Sequence, residues 1–472
     1  MVLIFLGGYE VEREENKMGT KRIFPLLMTM ALPAMLSMFI QSMYNVVDSM
    51  FVARIGEEAI TAVSLAFPIQ NIILAVAVGT GVGINSVISR RLGEKNYNKA
   101  NSAVTHGLII GVIEAVIFIV LGLIFINPFF KMFTESKEVI NLGVNYTYIV
   151  TMLSFGVIIH IIIEKVLQST GNMIYPMIFQ AVGAITNIIL DPIFIFGLFG
   201  VPKMGVAGAA IATVAGQILA MTLSVITLIY KNHEVEIKKK GFKFEMKVVK
   251  EIFTVGAPSI MMISLGSILV MGLNAILISF SQVAVALFGI YFKLQSFVFM
   301  PVSGLTQGAM PILGYNYGAK NRDRFINTLK LGIIVSVIIM AAGNFIFLAF
   351  PEELLMIFNA SEEMLSIGKT ALCTISLSYI PAAFGLLFAT AFQAIGKGNL
   401  SLLITLLRQI IIILPMAFIL SKFIGLTGVW ITFPIAEIVA AIFAGLMFIR
   451  VCKRDSVLNN DGITLIKDEV NI

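Results

Sequence analysis

Long runs of apolar residues, separated by short segments rich in glycine, proline or charge, follow one another along almost the whole chain. Each run is about 20 residues or longer, the length that an α-helix needs to cross the hydrocarbon core of a bilayer. We therefore predict an all-α polytopic membrane protein with twelve membrane-spanning helices. The predicted spans are 24–52, 60–88, 103–126, 140–163, 173–198, 206–230, 250–279, 283–313, 328–350, 365–388, 400–423 and 428–451.

Composition supports this fold class. The chain has 472 residues, of which 58% are hydrophobic and 13% are charged. A soluble globular protein carries about 25% charged residues, so that class and intrinsic disorder are both excluded. A transmembrane β-barrel is excluded as well, because its strands alternate in polarity around a polar lumen. The two cysteines, Cys373 and Cys452, predict neither a disulfide framework nor a metal site.

The net charge of +6 is distributed unevenly among the connections between spans. In a membrane protein such an excess of Lys and Arg marks cytoplasmic loops, so no nucleic-acid partner is expected. The basic set is Arg90, Arg91, Lys95, Lys99, Lys231, Lys238, Lys239, Lys240, Lys243, Lys247, Lys250, Lys320, Arg322, Arg324 and Lys330. The alternate connections carry only Arg54, Lys131, Lys137, Lys203, Lys369 and Lys422. We predict a multi-pass protein of the cell membrane with both termini cytoplasmic.

The two halves of the chain are similar at a constant offset of 225 residues. Ala31-Leu32-Pro33 aligns with Gly256-Ala257-Pro258, and further pairs share glycine, glutamine, lysine or asparagine. These pairs are Gln70/Gln295, Gly79/Gly304, Gly83/Gly308, Gly93/Gly318, Lys95/Lys320, Asn96/Asn321 and Gly171/Gly396, with Gly205/Gly425 after a five-residue gap. Repeats of six helices insert with the same orientation, so their pseudo-two-fold axis runs along the membrane normal.

The repeat predicts the domain organisation. Six-helix lobes are expected at 23–230 and 250–451, joined by a basic cytoplasmic linker at 231–249. Cytoplasmic tails are expected at 1–22 and 452–472, and Met18 is a second candidate for the start of the chain. Such symmetry places a substrate cavity between the lobes and favours rocking between inward-open and outward-open states.

Polar residues within two predicted spans are candidates for an ion site. Gln41, Asn45 and Asp48 have the spacing i, i+4, i+7 and share one face of the first helix. A charge at the bilayer centre costs about 2.5–3.5 kcal/mol on insertion scales, so each acid requires a reason.

The fifth span supplies the second half of this candidate site. Asn187 and Asp191 share one helical face, and Pro192 leaves the carbonyl of Ile188 without its helical donor. Carboxylate, amide and carbonyl oxygens suit a hard cation, so we predict Na⁺ at Asp48, Asn187 and Asp191, or protons on the carboxylates. The alternative is that each Asp caps a helix end or forms a structural pair.

The second half of the chain has no counterpart of this site. At the repeat offset the five polar residues become Gly266, Val270, Leu273, Ile412 and Met416. We therefore predict that the N-terminal lobe carries the ion chemistry.

Other polar residues are candidates for the cavity or for the second lobe. Lys293, Arg408 and Glu437 lie within predicted spans of the C-terminal half, where an Arg408–Glu437 pair or a cavity role is open. Gln70 and Gln295 occupy equivalent positions in the two repeats. Glu164 and the adjacent Lys165 lie near the end of the fourth span, where snorkelling to the interface competes with a cavity role.

Soluble catalytic motifs are absent from the sequence. It contains no GxxxxGK[ST] phosphate-binding loop, so ATP-driven transport is not expected. It contains no HExxH or GxSxG motif either. We expect no enzyme activity and no cofactor other than a coupling ion.

The motifs that carry these polar residues resemble those of the multidrug and toxic compound extrusion (MATE) family. They are Tyr44-Asn45-Val46-Val47-Asp48, Arg91-Leu92-Gly93-Glu94-Lys95 with its repeat Gly318-Ala319-Lys320, and Asn187-Ile188-Ile189-Leu190-Asp191-Pro192. The resemblance covers about 20–451 and is greatest to the prokaryotic MepA-like branch. It implies two six-helix lobes and antiport of drugs against Na⁺ or H⁺. It also implies coupling roles for Asp48, Asn187, Asp191 and Gln41, and for the hydroxyl of Thr213.

The sequence thus favours a secondary active efflux transporter for amphipathic, cationic compounds, acting as a monomer in the lipid bilayer. A lipid-linked precursor flippase of the same broad superfamily is the alternative, which Lys293 and Arg408 keep open. An intramembrane enzyme is a second alternative, but it would require clustered His, Asp or Ser side chains on facing helices.

Overall fold

The computed structural model describes residues 15–231, 234–238 and 241–459. Within these ranges the chain is helical and no strand occurs. Nine helices are each long and apolar enough to cross a membrane, and two bent helix pairs form a further span each. The helical stretch Gly398–Arg454 contains non-helical backbone at Ile424 and Gly425, which divides it into two spans. The described residues therefore form twelve spans, and the predicted fold class is confirmed.

The spans are numbered 1 to 12 in chain order. They are Ile23–Ala53, Glu57–Gly93, Tyr97–Phe133, the pair Lys137–Met152 and Phe155–Ser169, Ile174–Phe196, Val206–Tyr230, Met246–Leu277, Gln282–Gly318, Arg322–Ala349, the pair Glu362–Ser376 and Tyr379–Ala394, 398–423, and 426–454. Two short helices, Lys17–Thr20 and Pro351–Met356, lie outside the spans.

Several helices extend beyond the apolar runs from which they were predicted. Span 3 begins at Tyr97 and span 9 at Arg322, each about six residues before the predicted start. In both cases an asparagine caps the helix: Asn96 accepts a hydrogen bond from the amide of Lys99, and Asn321 accepts one from the amide of Arg324. A side-chain cap satisfies amides that the first turn leaves free, so the helix begins in the polar loop.

The backbone repeats at the offset that the sequence predicts. Span 2 and span 8 both begin and end 225 residues apart, and spans 4 and 10 are bent by 44° and 45° at equivalent positions. Even the unusual left-handed residues recur, since Lys95 and Lys320 have φ angles of 55° and 56°. Gly205 and Gly425, with φ angles of 56° and 62°, support the five-residue gap before the last helix of each lobe.

The two lobes share a hydrophobic core in one half of the molecule and have separate cores in the other. The shared core includes Leu92 and Ile163 of the first lobe together with Leu313 and Phe448 of the second. The other two clusters each belong to one lobe: the buried residues of one lie within 52–214, and those of the other lie within 269–436. The lobes are therefore in contact on the side of the basic loops and diverge towards the opposite side.

Symmetry-related glycines make close contacts between the lobes on the basic-loop side. A Cβ atom on Gly93 would overlap the carbonyl oxygen of Tyr315, and one on Gly318 would overlap the carbonyl oxygen of Arg90. Because no side chain intervenes, the helix backbones themselves touch. We call this contact the interlobe seal; its glycines are Gly79, Gly83, Gly93, Gly304, Gly308 and Gly318.

The basic connections, the linker and both ends of the described chain meet on one face of the molecule. The Asn316 side chain donates to the carbonyl of Met18 at 3.0 Å, and the Tyr317 hydroxyl donates to Asp455 at 2.9 Å. In the linker, the amide of Glu236 donates to Asn101 at 2.8 Å. The predicted grouping of these segments on one side agrees with the contacts. Residues 1–14 and 460–472, with Lys239 and Lys240, lie outside the described residues.

Labelling of single cysteines tests which side this face occupies. In a background with Cys373 and Cys452 replaced by serine, we expect a membrane-impermeant maleimide applied to intact cells to label Lys137→Cys but not Lys99→Cys. Lys137 begins span 4 on the opposite face, whereas Lys99 is an exposed residue in the first turn of span 3, on the basic-loop side. Permeabilised cells should label both variants. Labelling of Lys99→Cys alone from outside would reverse the predicted orientation.

Candidate functional site

A cavity of about 690 Å³ lies between the lobes. Because the lobes are in contact on the basic-loop side, the cavity opens towards the opposite face. Its wall comes mainly from spans 1, 2, 4, 5 and 6, and the second lobe contributes Met300 and Gln307. The sequence predicts a cavity between the halves. In the structure, the first lobe forms most of the surface of this cavity.

Spans 5 and 6 bring three of the predicted ion-site residues together. The Asn187 side-chain amide donates to the Asp191 carboxylate and to the Thr213 hydroxyl, each at 3.3 Å. All three side chains are buried. The two helices approach closely here because Gly183 and Gly216 face each other, and a Cβ atom on Gly216 would lie 2.5 Å from the carbonyl oxygen of Gly183.

Three buried oxygens around this cluster have no hydrogen-bond partner among the described residues: Asp48 Oδ1, Asn187 Oδ1 and Asp191 Oδ2. Asp48, Asn187 and Thr213 also line the cavity. A buried oxygen without a donor is costly, and a hard cation or a proton would satisfy it. A role limited to helix capping or structural pairing would not leave these oxygens unsatisfied. The donor set therefore fits a cation that reaches the site from the cavity.

A row of amide side chains continues from this cluster along the cavity wall. Gln180 of span 5 donates to Gln41 of span 1, and Gln41 donates to Asn45 at 3.3 Å. Gln180 was not among the predicted site residues. Its spacing of seven residues before Asn187 places it on the same helical face, and this signal was available in the sequence. Gln70, a predicted cavity residue, lines the cavity and donates to the Tyr146 hydroxyl at 3.2 Å.

The end of the cavity nearest the interlobe seal is polar and charged. We call it the cavity floor; its residues are Glu164, Lys165, Gln168 and Gln307. The Lys165 ammonium donates to Glu164 at 3.2 Å, and to Gln168 and Gln307 at 2.9 Å each. The Lys165 side chain is only 8% exposed. It is therefore held inside the protein and does not snorkel to the interface.

Comparison with known proteins identifies the family. The MatE family model matches residues 33–193 and 258–419, one match in each lobe and with the same offset of 225 between their first residues. The chain belongs to the MatE family. The MatE domains begin at Pro33 and Pro258, the aligned prolines of spans 1 and 7.

Similar MatE proteins align along nearly their whole length. The multidrug export protein MepA of Staphylococcus haemolyticus is 29% identical over 448 residues, which are 95% of this chain and 97% of that protein. An FAD transporter of Shewanella oneidensis is 27% identical over 430 residues, 91% of this chain and 95% of that protein. Such MatE relatives are transporters, and the described spans agree with a multi-pass membrane protein.

Solved structures show the same arrangement of helices. A transporter of the MOP superfamily from Pyrococcus furiosus has a TM-score of 0.88 at 26% identity, with 95% of this chain and 99% of that chain covered. A multidrug resistance MATE family transporter, described in its outward-facing conformation, has a TM-score of 0.87 at 26% identity, with 93% and 98% covered. Twelve helices in two lobes are thus the architecture of this MatE protein.

The second lobe of this MatE chain is apolar where the first carries its ion-site cluster. Leu273, the counterpart of Asp48, is fully buried, and the counterpart of Thr213 is the buried Phe433. The counterparts of Gly183 and Gln217 are Arg408 and Glu437, which form an ion pair of 2.8 Å. Arg408 lies in a π-helical segment of span 11, Leu407–Ile413, and Glu437 lies in span 12. The pair joins spans 11 and 12 where Gly183 and Gly216 join spans 5 and 6.

The remaining predicted residues of the second lobe lie away from the cavity wall. Lys293 is exposed, and its ammonium lies 5.9 Å from the ring centroid of Phe358. Gln295 is half-buried, and neither it nor the Arg408–Glu437 pair belongs to the described lining of the cavity. A cavity role for these four residues stays a prediction, since they do not line the cavity in this conformation.

Proposed function

We propose that this protein exports amphipathic, mainly cationic compounds in exchange for Na⁺ or H⁺ by alternating access. The observation that carries the proposal is the position of the ion-site cluster in the wall of the cavity. Asp48, Asn187 and Thr213 line the cavity. Asp48 and Asn187 each have a buried oxygen without a hydrogen-bond partner among the described residues, and the Thr213 hydroxyl accepts a hydrogen bond from Asn187. One surface therefore serves both a bulky ligand and a small cation.

The cavity has the size and chemistry that an amphipathic cation requires. Its volume lies within the range of about 300–1,000 Å³ that is typical of small-molecule sites. Tyr44, Phe67 and Phe179 provide aromatic surface, and cations are attracted to the faces of such rings. Of the charged residues in its lining, Asp48 and Glu164 are acidic, whereas Lys165 is basic. The formal charge of the wall thus favours positively charged ligands.

Antiport follows if drug and ion stabilise different conformations. A ligand that binds both conformations equally shifts neither, so coupling needs a residue whose interactions differ between them. A cation held by Asp48, Asn187 and Asp191 would draw span 1 towards span 5 and alter the cavity wall that spans 1 and 5 share. By linkage, the ion then weakens drug binding by the same factor as the drug weakens ion binding.

Transport by purified protein in vesicles tests this proposal. We expect efflux of a fluorescent organic cation to require an imposed Na⁺ or pH gradient and to stop when the gradient is collapsed. On the detergent-purified protein, the affinity for the same cation should fall as the coupling ion is added. An affinity and a transport rate that are independent of both ions would contradict antiport and would indicate a facilitator or a flippase.

The flippase alternative receives no support from the two basic residues that kept it open. Lys293 is exposed outside the described cavity lining, and the charge of Arg408 is matched by Glu437. The relatives named above, a multidrug exporter and an FAD transporter, agree with an export function.

A further inference from the structure

The cavity floor contains one fixed cation and one fixed anion side by side. Glu164 and Lys165 are adjacent on the second half of span 4, and both line the cavity. Their side chains are 17% and 8% exposed, so they are shielded from bulk water but not closed off from the cavity. Each charge in such surroundings interacts more strongly with a ligand charge that contacts it than the same charge would at the surface.

Lys165 is held in one position by its packing. Its aliphatic stem passes directly over Gly81 of span 2, where a Cβ atom would lie 2.6 Å from Lys165 Cγ. Its ammonium group has three acceptors at 2.9–3.2 Å, of which two are the neutral side-chain amides of Gln168 and Gln307. A preorganised cation of this kind binds a ligand without first losing side-chain freedom.

The neutral acceptors are replaceable by a charged one. A carboxylate accepts a stronger hydrogen bond from an ammonium group than an amide oxygen does, because both partners are then charged. Gln168 is buried and also donates to Glu164 at 2.7 Å, whereas Gln307 is only half-buried. A ligand carboxylate in the cavity would therefore displace Gln307 from Lys165 more readily than Gln168. A ligand that is only cationic forms no such hydrogen bond and is repelled by the ammonium of Lys165.

We propose that Lys165 is a specificity-determining residue that binds the acidic group of zwitterionic substrates, while the substrate's cationic part is attracted by the acidic residues of the same cavity, Asp48 and Glu164. This proposal rests on the proposed function and narrows its substrate class. A zwitterionic amphiphile would be bound through both of its charged groups, whereas a simple cation would interact with the acidic residues alone.

A matched pair of probes separates the two classes. Tetramethylrhodamine is a zwitterion with a free carboxylate, and its methyl ester has the same rings but only the positive charge. We expect Lys165→Gln to weaken binding of the free acid to the purified protein by about tenfold, as loss of a charge-assisted hydrogen bond implies. Binding of the ester should change by less than about twofold. Lys293→Gln, which removes an exposed cation outside the cavity lining, is the matched control and should change neither affinity.

Two outcomes would overturn the proposal. One is an equal loss of both affinities in Lys165→Gln, which would assign Lys165 a purely structural role. The other, which needs no variant, is wild-type protein that binds the methyl ester at least as tightly as the free acid, which would show that the carboxylate gains nothing in the cavity. Ion-coupled efflux of the ester by the wild type tests the proposed function separately, because the ester carries no acidic group.

Discussion

Replacing Asp191 with asparagine is expected to abolish ion-coupled efflux while the protein still inserts and folds. Asparagine keeps the shape of the side chain and the contact with Asn187, but it removes the charge of a fully buried carboxylate. Loss of one partner from a buried charge interaction costs about 2–5 kcal/mol, which corresponds to roughly 30-fold or greater weakening of ion binding. The measurement is gradient-driven efflux from proteoliposomes, together with drug affinity at several Na⁺ concentrations and pH values.

The repeat supplies a control for this experiment at the equivalent position of the second lobe. Met416 is the counterpart of Asp191, and Met416→Ala should leave the ion dependence of drug binding unchanged. Asp48→Asn should resemble Asp191→Asn, since both remove a carboxylate whose oxygen has no partner among the described residues. If Asp191→Asn retains wild-type ion dependence, the ion site is not formed by this cluster.

A valine at Gly318 is expected to prevent the lobes from closing on the basic-loop side. The added side chain would overlap the backbone carbonyl of Arg90 in the other lobe, and backbone cannot move aside as a flexible side chain can. We expect Gly318→Val to shift the protein to the conformation in which the interlobe seal is open. Efflux should fall by at least about tenfold, because a shift of about 1.4 kcal/mol already changes the ratio of two states tenfold.

Accessibility of the cavity reports that shift directly. Ser37 lies in the cavity wall, so Ser37→Cys in a background without the native cysteines should react with an impermeant reagent from the side opposite the basic loops. Adding Gly318→Val should reduce that reaction and increase labelling from the basic-loop side. Gly289→Val is the matched control in the same helix, since a Cβ atom at Gly289 meets nothing within 4 Å. Equal labelling of the two double variants would show that the seal tolerates a side chain.

The architecture could be predicted from the sequence because long apolar runs and a constant repeat offset are strong, redundant signals. Helix ends were less accurate, since a cap such as Asn96 lies in polar sequence that hydropathy does not assign to a helix. The grouping of Asn187 and Asp191 followed from spacing on one helix. Contacts between distant helices did not follow, and so the hydrogen bond from Lys165 to Gln307 could not be predicted.

The same limit applies to the second lobe and to the seal. The sequence left an Arg408–Glu437 pair and a cavity role open, and only the packing of span 11 against span 12 shows the 2.8 Å pair. The glycines of the seal recur at the repeat offset, whereas Gly266, which touches nothing within 4 Å, aligns with Gln41. The sequence does not show, however, that the recurring glycines touch the other lobe, since glycine is common in membrane helices for several reasons.

The interlobe seal consists of backbone contacts, so the closing of the lobes does not depend on the side chains that select the substrate. Main-chain contacts at Gly83, Gly93 and Gly318 depend on the absence of side chains and are indifferent to the polarity of the cavity above them. Residues such as Gln70 or Gln180, whose hydrogen bonds stay within the first lobe, can therefore be exchanged without altering how the two lobes meet. We expect cavity substitutions to change which compounds are carried while the closing equilibrium stays nearly constant. A scaffold of this kind can be fitted to a new compound one side chain at a time.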